Sequence, residues 1–197
     1  MNNFPLHQAL RERRTCRAYD DRAVPSAILD RLIWAAQGVL TEDGKRTAPS
    51  AHALHPLRLT VSAGRIEDRD QGIYSVDPQT GSLDVVRTGD VREALQAAAL
   101  EDQPWIGSAA GILTICADFA GPAKAFALQP PYGGRGARYV YVEAGAAAQN
   151  VHLQAVSEGL GCVLVAGFRD EATADVLGLQ APVAPVLHLC FGWPAAG

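Results

Sequence analysis

The clearest pattern in the chain is a stretch at residues 138–158 in which hydrophobic or small residues occupy almost every helical face. The stretch contains no proline, and Gly145 is its only glycine, so it predicts one helix of about twenty residues and about 30 Å. Gly159 and Gly161 then end it. Because a surface helix would confine its apolar residues to one stripe, this helix is expected to be buried on most faces. Its polar residues, which need partners wherever they are buried, are Glu143, Gln149, Asn150, His152 and Gln154.

Elsewhere the pattern predicts short helices and short strands in one domain spanning residues 1–197. Apolar periodicity indicates helices at residues 4–14, 26–37, 90–99 and 170–177, with Ser26, Asp90 and Asp170 as expected N-caps. Alternating or continuous apolar runs indicate strands at residues 57–62, 72–76, 82–86, 111–117, 162–165 and 185–194. Residues 41–48 and 120–136 are expected to be loops. The fold class is therefore α+β, with a mainly antiparallel central sheet flanked by helices.

Composition and charge exclude several classes of protein. Apolar residues make up 48% of the chain and charged residues 19%, which is typical of a globular domain. The net charge of -4 argues against non-specific nucleic-acid binding. No signal peptide or membrane span is recognisable, so a cytoplasmic protein without a membrane partner is expected. The four cysteines show no paired spacing and are expected to be reduced thiols.

An arginine-rich segment follows the first predicted helix. Residues 11–17 contain four arginines, which repel one another at helical spacing, so a compensating anion is one interpretation. Arginine forks are the usual partners of phosphate, and Thr15 adds a hydroxyl. The alternative is a solvated basic turn whose arginines pair with Glu12, Asp20 and Asp21.

Other chemical motifs are weak or absent. His52 and His55 lie three residues apart without a third candidate ligand nearby, so a metal site is not predicted. The glycine cluster at residues 133–136 fits neither a Walker loop nor a dinucleotide fingerprint. The sequence has no nucleophile elbow and no zinc-protease motif, and its carboxylates are dispersed. From the residues alone, the chain is an α+β domain with a possible anion site.

Six segments in order resemble the nitroreductase family, and together they span almost the whole chain. They are residues 13–19, 49–56, 143–155, 159–161, 166–168 and 192–194. The form Pro-Ser-Ala-His-Ala-Leu-His-Pro at residues 49–56 and the Gly-Ile-Tyr-Ser-Val hairpin strand are most similar to the SagB-type dehydrogenase branch, which includes azoline oxidases of thiazole and oxazole peptide synthesis.

The resemblance implies an FMN-dependent oxidoreductase that exchanges hydride between NADPH or NADH, or an organic substrate, and an acceptor. It implies a homodimer with FMN at the interface, contacts between subunits that include the long helix, and a small-molecule substrate. By position, the phosphate, ribityl chain and pyrimidine edge would be held by Arg13, Arg14, Thr15 and Arg17. The partner subunit would cover the flavin with Pro49, Ser50 and Ala51. The isoalloxazine would lie along Val165, Ala166 and Gly167. Flavin would carry the hydride chemistry, which accounts for the missing acid–base pair.

The sequence also departs from the family pattern. Many members place a basic pair near the C-terminus, whereas this chain has no Lys or Arg after Arg169. The alternative reading is therefore a binding or scaffold protein that kept the fold and lost productive flavin chemistry; an unrelated anion-binding α+β domain is a third. Gln149 and Asn150 fit either a flavin contact or hydrogen bonding within the protein.

Overall fold

The fold is built on a six-stranded antiparallel sheet. The structure, a computed structural model, describes residues 4–196. In chain order the strands are β1 (Leu57–Ala63), β2 (Gly72–Val76), β3 (Leu83–Thr88), β4 (Gly111–Asp118), β5 (Gly161–Val165) and β6 (Val183–Gly192). They are arranged in the order β3-β2-β1-β4-β6-β5, so β3 and β5 are the two edges. The central strand β4 is buried along almost its whole length, as its continuous apolar run predicted.

Within residues 4–196, seven α-helices pack on this sheet or on one another. They are α1 (Leu6–Glu12), α2 (Ser26–Gln37), α3 (Arg92–Ala98), α4 (Pro104–Ser108), α5 (Ala120–Ala125), α6 (Arg135–Ser157) and α7 (Asp170–Leu177). Helices α2 and α6 pack together on one face around the larger hydrophobic cluster. Helices α3, α4 and α7 lie on the other face around a second cluster. The predicted α+β class with helices flanking an antiparallel sheet is confirmed.

Helix α6 is the long helix that the sequence predicts, with 23 residues. Its buried side includes Val140, Ala144, Ala147, Val151 and Ala155. Within one chain it is not buried on most faces, because an exposed stripe contains mainly apolar or small residues. The stripe is formed by Arg138, Tyr141, Val142, Gly145 and Gln149. The expectation of burial on most faces is therefore wrong for the isolated chain.

Several local expectations need correction. Pro25 rather than Ser26 occupies the N-cap of α2, and Arg169 rather than Asp170 occupies that of α7. At α3 the N-cap is Val91, although the Asp90 carboxylate accepts a hydrogen bond from the Arg92 backbone N–H at 3.1 Å. Helix α5 lies inside a segment predicted to be loop; its Gly-Pro pair reads as a break, yet proline is tolerated in the first turn of a helix.

Candidate functional site

The arginine-rich segment runs beside the edge strand β5. Thr15 pairs in parallel with Cys162, and the Cys16 backbone N–H donates to the Cys162 carbonyl at 3.0 Å. The Tyr19 hydroxyl lies 2.9 Å from the carbonyl oxygens of both Cys16 and Cys190, and burial first of all raises its pKa. The hydroxyl therefore stays protonated and fastens the segment to the sheet.

Two glycines make this close approach possible. Gly159 ends α6 with a positive φ of 75°, in the left-handed region that suits glycine. Gly161 begins β5, and a Cβ there would overlap the side chain of Cys16. Any larger residue at position 161 would push the arginine segment away from the strand.

A cleft of about 590 Å³ opens between this segment and the C-terminal end of α6. Its lining includes Arg14, Thr15 and Arg17 from the segment, Val156 from α6 and Gly161 from β5. The structure thus brings together three of the four residues that the resemblance assigned to the phosphate, ribityl chain and pyrimidine edge of FMN.

The arginines of this segment are not neutralised by neighbouring carboxylates. Asp20 pairs with Arg22 at 2.7 Å, and Glu12 accepts a hydrogen bond from Gln8 at 2.8 Å. Among the described residues, none of the ion pairs involves Arg13, Arg14 or Arg17. The pairing with Glu12, Asp20 or Asp21 that the alternative expects is not found for these three arginines. Arg14 and Arg17 are exposed and the Glu12 carboxylate also lines the cleft, so the solvated basic turn stays a prediction beside the anion site.

Arg13 does not line the cleft but lies near a buried histidine of α6. Burial, and second the charge of Arg13, lower the pKa of His152, which is only 8% exposed. The His152 Nε2 atom is buried and has no hydrogen-bond partner among the described residues. A neutral imidazole beside an arginine is a polar group that still needs a partner.

The other end of β5 carries the second group of predicted site residues. Val165 is buried as the last residue of the strand, whereas Ala166 is exposed. The Gly167 carbonyl accepts hydrogen bonds from the Leu100 N–H and from Gln103 Nε2, both at 3.0 Å. These bonds fix the chain direction just after β5.

Arg17 connects this region to helix α4. Its guanidinium lies 5.0 Å from the ring centroid of Trp105, within the range of a cation–π contact. Trp105 follows Gln103 in the same helical turn. The start of α4 therefore contacts both the arginine segment, through Trp105, and the residues after β5, through Gln103.

The third predicted group, Pro49 to Ala51, is docked on the middle of α6. The Ala51 N–H donates to the buried Glu143 carboxylate at 2.7 Å, and Asn150 Nδ2 donates to the Thr47 carbonyl at 3.0 Å. Ser50 Oγ accepts the His55 N–H at 2.9 Å. Glu143 and Val156 are thirteen residues apart on α6, or about 20 Å. Within one chain, this group therefore does not reach the arginine cleft.

A family model settles the classification. The model described as the nitroreductase family matches residues 10–193. The chain belongs to the nitroreductase family. Membership makes it an oxidoreductase by class, and the match includes all ten predicted site residues.

Individual relatives agree with this assignment. The chain is 34% identical over 180 residues to a candidate nitroreductase of Methanocaldococcus jannaschii, covering 91% of this chain and 87% of the relative. A solved candidate nitroreductase from Ralstonia eutropha superimposes with a TM-score of 0.81 at 27% identity, covering 98% of this chain and 85% of that one. A chain of the E. coli microcin synthetase McbBCD complex, solved with truncated pro-MccB17 bound, shares the fold with a TM-score of 0.76 at 24% identity, over 100% of this chain and 74% of that one.

In this member of the nitroreductase family, sequence reasoning missed three site residues. Gln103 holds Gly167, Trp105 stacks on Arg17 and Glu143 holds Ala51. The sequence indicated that a buried Glu143 needs a hydrogen-bond partner, but it did not indicate which residue supplies it. No sequence pattern around Gln103 and Trp105 indicated that they contact the predicted site residues. Asn150 contacts Thr47, which agrees with hydrogen bonding inside the protein.

Two further findings concern ligands and membranes. Within residues 4–196, no group of three His, Cys, Asp or Glu side chains is close enough to hold a metal ion. None of the helices described has the length and apolar character needed to cross a membrane.

Proposed function

We propose that this chain is an FMN-dependent oxidoreductase that takes hydride from NADPH, NADH or an organic substrate and passes it to an acceptor. The observation that carries the proposal is the cleft beside β5, in which Arg14 and Arg17 form no ion pair with any carboxylate of residues 4–196. Unpaired guanidinium groups match the forked geometry of a phosphate.

The residues present fit FMN in three ways. The arginine segment supplies positive charge and the Thr15 hydroxyl, and the absent side chain at Gly161 keeps that segment close to β5. His152 has an unpartnered Nε2 atom next to Arg13. Arg13, Arg14, Thr15 and Arg17 would hold the phosphate, ribityl chain and pyrimidine edge, while Val165, Ala166 and Gly167 would lie along the ring. When bound, FMN would supply two-electron hydride chemistry.

The protein's own part in this reaction would be positioning. Gln103 and the Leu100 N–H hold the Gly167 carbonyl and so set the backbone beside the ring. Tyr19 holds the arginine segment against the sheet. We therefore expect substitutions of Gln103 or Tyr19 to change the affinity for the cofactor more than the choice of substrate.

We further propose that the protein is a homodimer in which Pro49, Ser50 and Ala51 of the partner cover the flavin. The support is that the arginine cleft lies at the C-terminal end of α6, whereas the segment held by Glu143 is docked on the middle of that helix. An antiparallel pairing of the exposed α6 stripe with its copy would bring the N-terminal half of one helix to the C-terminal half of the other. Each cleft would then receive the segment that its own chain holds about 20 Å away.

Within the family, we propose the SagB-type dehydrogenase branch. The support is the form of residues 49–56 and of β2, together with the fold shared with the microcin synthetase chain. A dehydrogenase of this kind would draw electrons from an azoline-containing peptide, whereas a nitro- or quinone reductase would draw them from NADPH or NADH.

One experiment tests the cofactor first and the branch second. The purified protein is mixed with FMN, separated from unbound flavin, and its visible spectrum is recorded before and after adding NADPH or NADH without oxygen. A retained spectrum that bleaches indicates a reductase. A retained spectrum that is stable to both nucleotides, but bleaches with an azoline peptide, indicates the dehydrogenase. A colourless protein would support the scaffold alternative, for which the missing Lys and Arg after Arg169 is the best argument.

A further inference from the structure

A second cavity lies far from the arginine cleft, toward the opposite edge of the sheet. It has a volume of about 570 Å³ and is enclosed by the C-terminal half of α2, the loop after it, β1 and the β2–β3 hairpin. The sheet order places β4 and β6 between β1 and the edge strand β5. This cavity is thus separate from the cleft beside β5 in the same chain, and its volume is in the range of small-molecule pockets.

The floor of the cavity is apolar. Ile33 of α2, Leu57 and Leu59 of β1 and Val76 of β2 line it, and each is nearly buried. Trp34 forms part of the wall and is 51% exposed, although it is one of the largest apolar side chains. Gly38 makes room for this indole, since a Cβ there would overlap the Trp34 ring. The floor and wall suit the hydrocarbon part of a ligand.

The rim of the same cavity is positively charged. Arg46, Arg58 and Arg69 line it. Arg46 is held in place because its Nη1 donates to the Gln37 carbonyl at 2.9 Å and to the Pro78 carbonyl. Its Nε is buried without a hydrogen-bond partner in the described chain. The Arg46 guanidinium is therefore held in position and still has an N–H group that can donate a hydrogen bond to a ligand.

Two carboxylates, Asp30 and Asp77, also line the cavity; within the described chain neither makes a close ion pair with Arg46 or Arg58, although the charge of Asp77 acts on Arg46. Asp77 accepts three hydrogen bonds within its own turn, from the Gln79 and Thr80 N–H groups and from the Thr80 hydroxyl. Asp30 makes only a 3.8 Å contact, with Arg69. Among residues 4–196, neither Arg46 nor Arg58 takes part in an ion pair.

The two unpaired arginines also lie near each other. Burial first, and then the charge of Arg58, lowers the pKa of the Arg46 guanidinium, while the charge of Asp77 acts in the opposite direction. Because arginine remains protonated in proteins, the two cations repel each other in the absence of a ligand. An anion placed between them would relieve this repulsion, and carboxylate geometry allows two N–H groups to be met at once.

We propose that this cavity binds a small organic acid whose apolar body contacts the floor and Trp34, and whose carboxylate meets Arg46 and Arg58. The proposal is independent of the proposed flavin chemistry, because it uses none of the residues of the β5 cleft. A neutral molecule with the same apolar body would lose the charged contact and would bind more weakly.

The test compares decanoate with decan-1-ol, both below the concentration at which they aggregate, by isothermal titration calorimetry with the full chain. Decanoate is expected to bind saturably and at least about 10-fold more tightly than the alcohol. Arg46→Met keeps the aliphatic stem and removes the charge, so it should abolish this preference. Arg58→Met should reduce the preference for decanoate as well. Because Arg58 is exposed, this variant is expected to fold and can replace Arg46→Met if the latter does not fold.

Two controls locate the binding site. Arg87→Met removes an exposed arginine of β3 that does not line the cavity, and it should leave decanoate affinity within about 2-fold. Trp34→Phe should remove the change in tryptophan fluorescence on adding decanoate. The proposal is overturned if decanoate does not saturate, if it binds no more tightly than decan-1-ol, or if both arginine variants keep the preference.

Discussion

Arg14 and Arg17 carry the charge that the phosphate end of a cofactor would meet. Both line the β5 cleft, and neither has an ion pair in the described chain. We expect Arg14→Ala and Arg17→Ala each to weaken FMN binding by roughly 10- to 150-fold, since a hydrogen bond to a charged group is worth about 1.5–3 kcal/mol. Quenching of flavin fluorescence on titrating protein stripped of FMN measures this.

The matched control is Arg11→Ala. Arg11 belongs to the same arginine run but lies in the exposed last turn of α1 and does not line the cleft. Its removal should change FMN affinity by no more than about 2-fold. Unchanged affinity in both Arg14→Ala and Arg17→Ala would rule out the assignment of the phosphate to this segment.

The buried His188 gives the protein a pH-dependent stability. It is 0% exposed, its Nδ1 lies 2.8 Å from the Thr114 hydroxyl, and burial lowers its pKa to about 4. Because the unfolded chain binds a proton near pH 6.5 and the folded chain does not, stability is full above that pH and falls as the pH drops toward 4. This residue should remove about 2 kcal/mol of unfolding free energy between pH 7.5 and pH 5.

Urea unfolding at the two pH values, compared with His188→Gln, measures this contribution. The variant is expected to lose less stability on acidification than the wild type, whatever its stability at pH 7.5. His152 titrates in the same direction, because burial and Arg13 lower its pKa, so some dependence on pH should remain in the variant. An identical loss in both proteins would mean that His188 is not the group responsible.

At the scale of elements, α5 and α6 meet at a glycine. A Cβ at Gly136 would lie 2.5 Å from the carbonyl carbon of Pro122, so the two helix backbones touch there. We expect Gly136→Ala to destabilise the fold by about 1–3 kcal/mol, because backbone atoms cannot move aside as a flexible side chain can. Thermal and urea unfolding measure the change.

Gly121→Ala is the control for this substitution. Gly121 is a helical glycine of α5 whose nearest neighbour to an added Cβ is the end of a side chain, at 3.5 Å from Asp118 Oδ2. Replacing a helical glycine where space allows gains up to about 1 kcal/mol, but Pro122 follows Gly121 and disfavours a helical residue with a Cβ before it, so the net change is expected to stay within about 1 kcal/mol. Equal effects of the two substitutions would show that the backbone contact at Gly136 does not matter.

The sequence predicts elements well where one local signal decides them. The apolar run of β4 and the proline-free run of α6, with Gly145 as its one glycine between residues 138 and 158, led to the right elements, with α6 starting three residues earlier than expected. Helix starts were less well predicted, because Pro25 and Arg169 take the cap positions that Ser26 and Asp170 favour locally. Helix α5 was missed because a Gly-Pro pair reads as a break in any local window.

The site was predictable only as far as its residues follow a local motif. Arg14, Thr15 and Arg17 do meet in one cleft, as the resemblance implied. Gln103 and Trp105 act through contacts with residues 64 and 88 positions away in the chain, and no local pattern encodes such contacts. The role of Glu143 also depends on a distant loop, through Ala51.

At the scale of the whole molecule, the proposed site needs two chains. One chain supplies the arginine cleft at the C-terminal end of α6, and the covering segment is docked on the middle of that helix, about 20 Å away. The exposed stripe between them contains Gly145, where an added Cβ would meet nothing within 4 Å of its own chain. A second backbone can approach closely at such a position, and an antiparallel pair would complete two sites at once.

A charge placed in this stripe should therefore disrupt both the dimer and the cofactor site. Val142 is 63% exposed in one chain, and Val142→Arg is expected to shift the protein to monomers in analytical ultracentrifugation and to weaken FMN binding at least about 10-fold. Val85 on the edge strand β3 is 62% exposed, so Val85→Arg adds the same charge at a matched position outside the stripe and should leave both properties unchanged. If Val142→Arg stayed dimeric, α6 would not be the interface. If it became monomeric but bound FMN as tightly as the wild type, the cleft of one chain would suffice and Pro49, Ser50 and Ala51 would not cover the flavin of a partner.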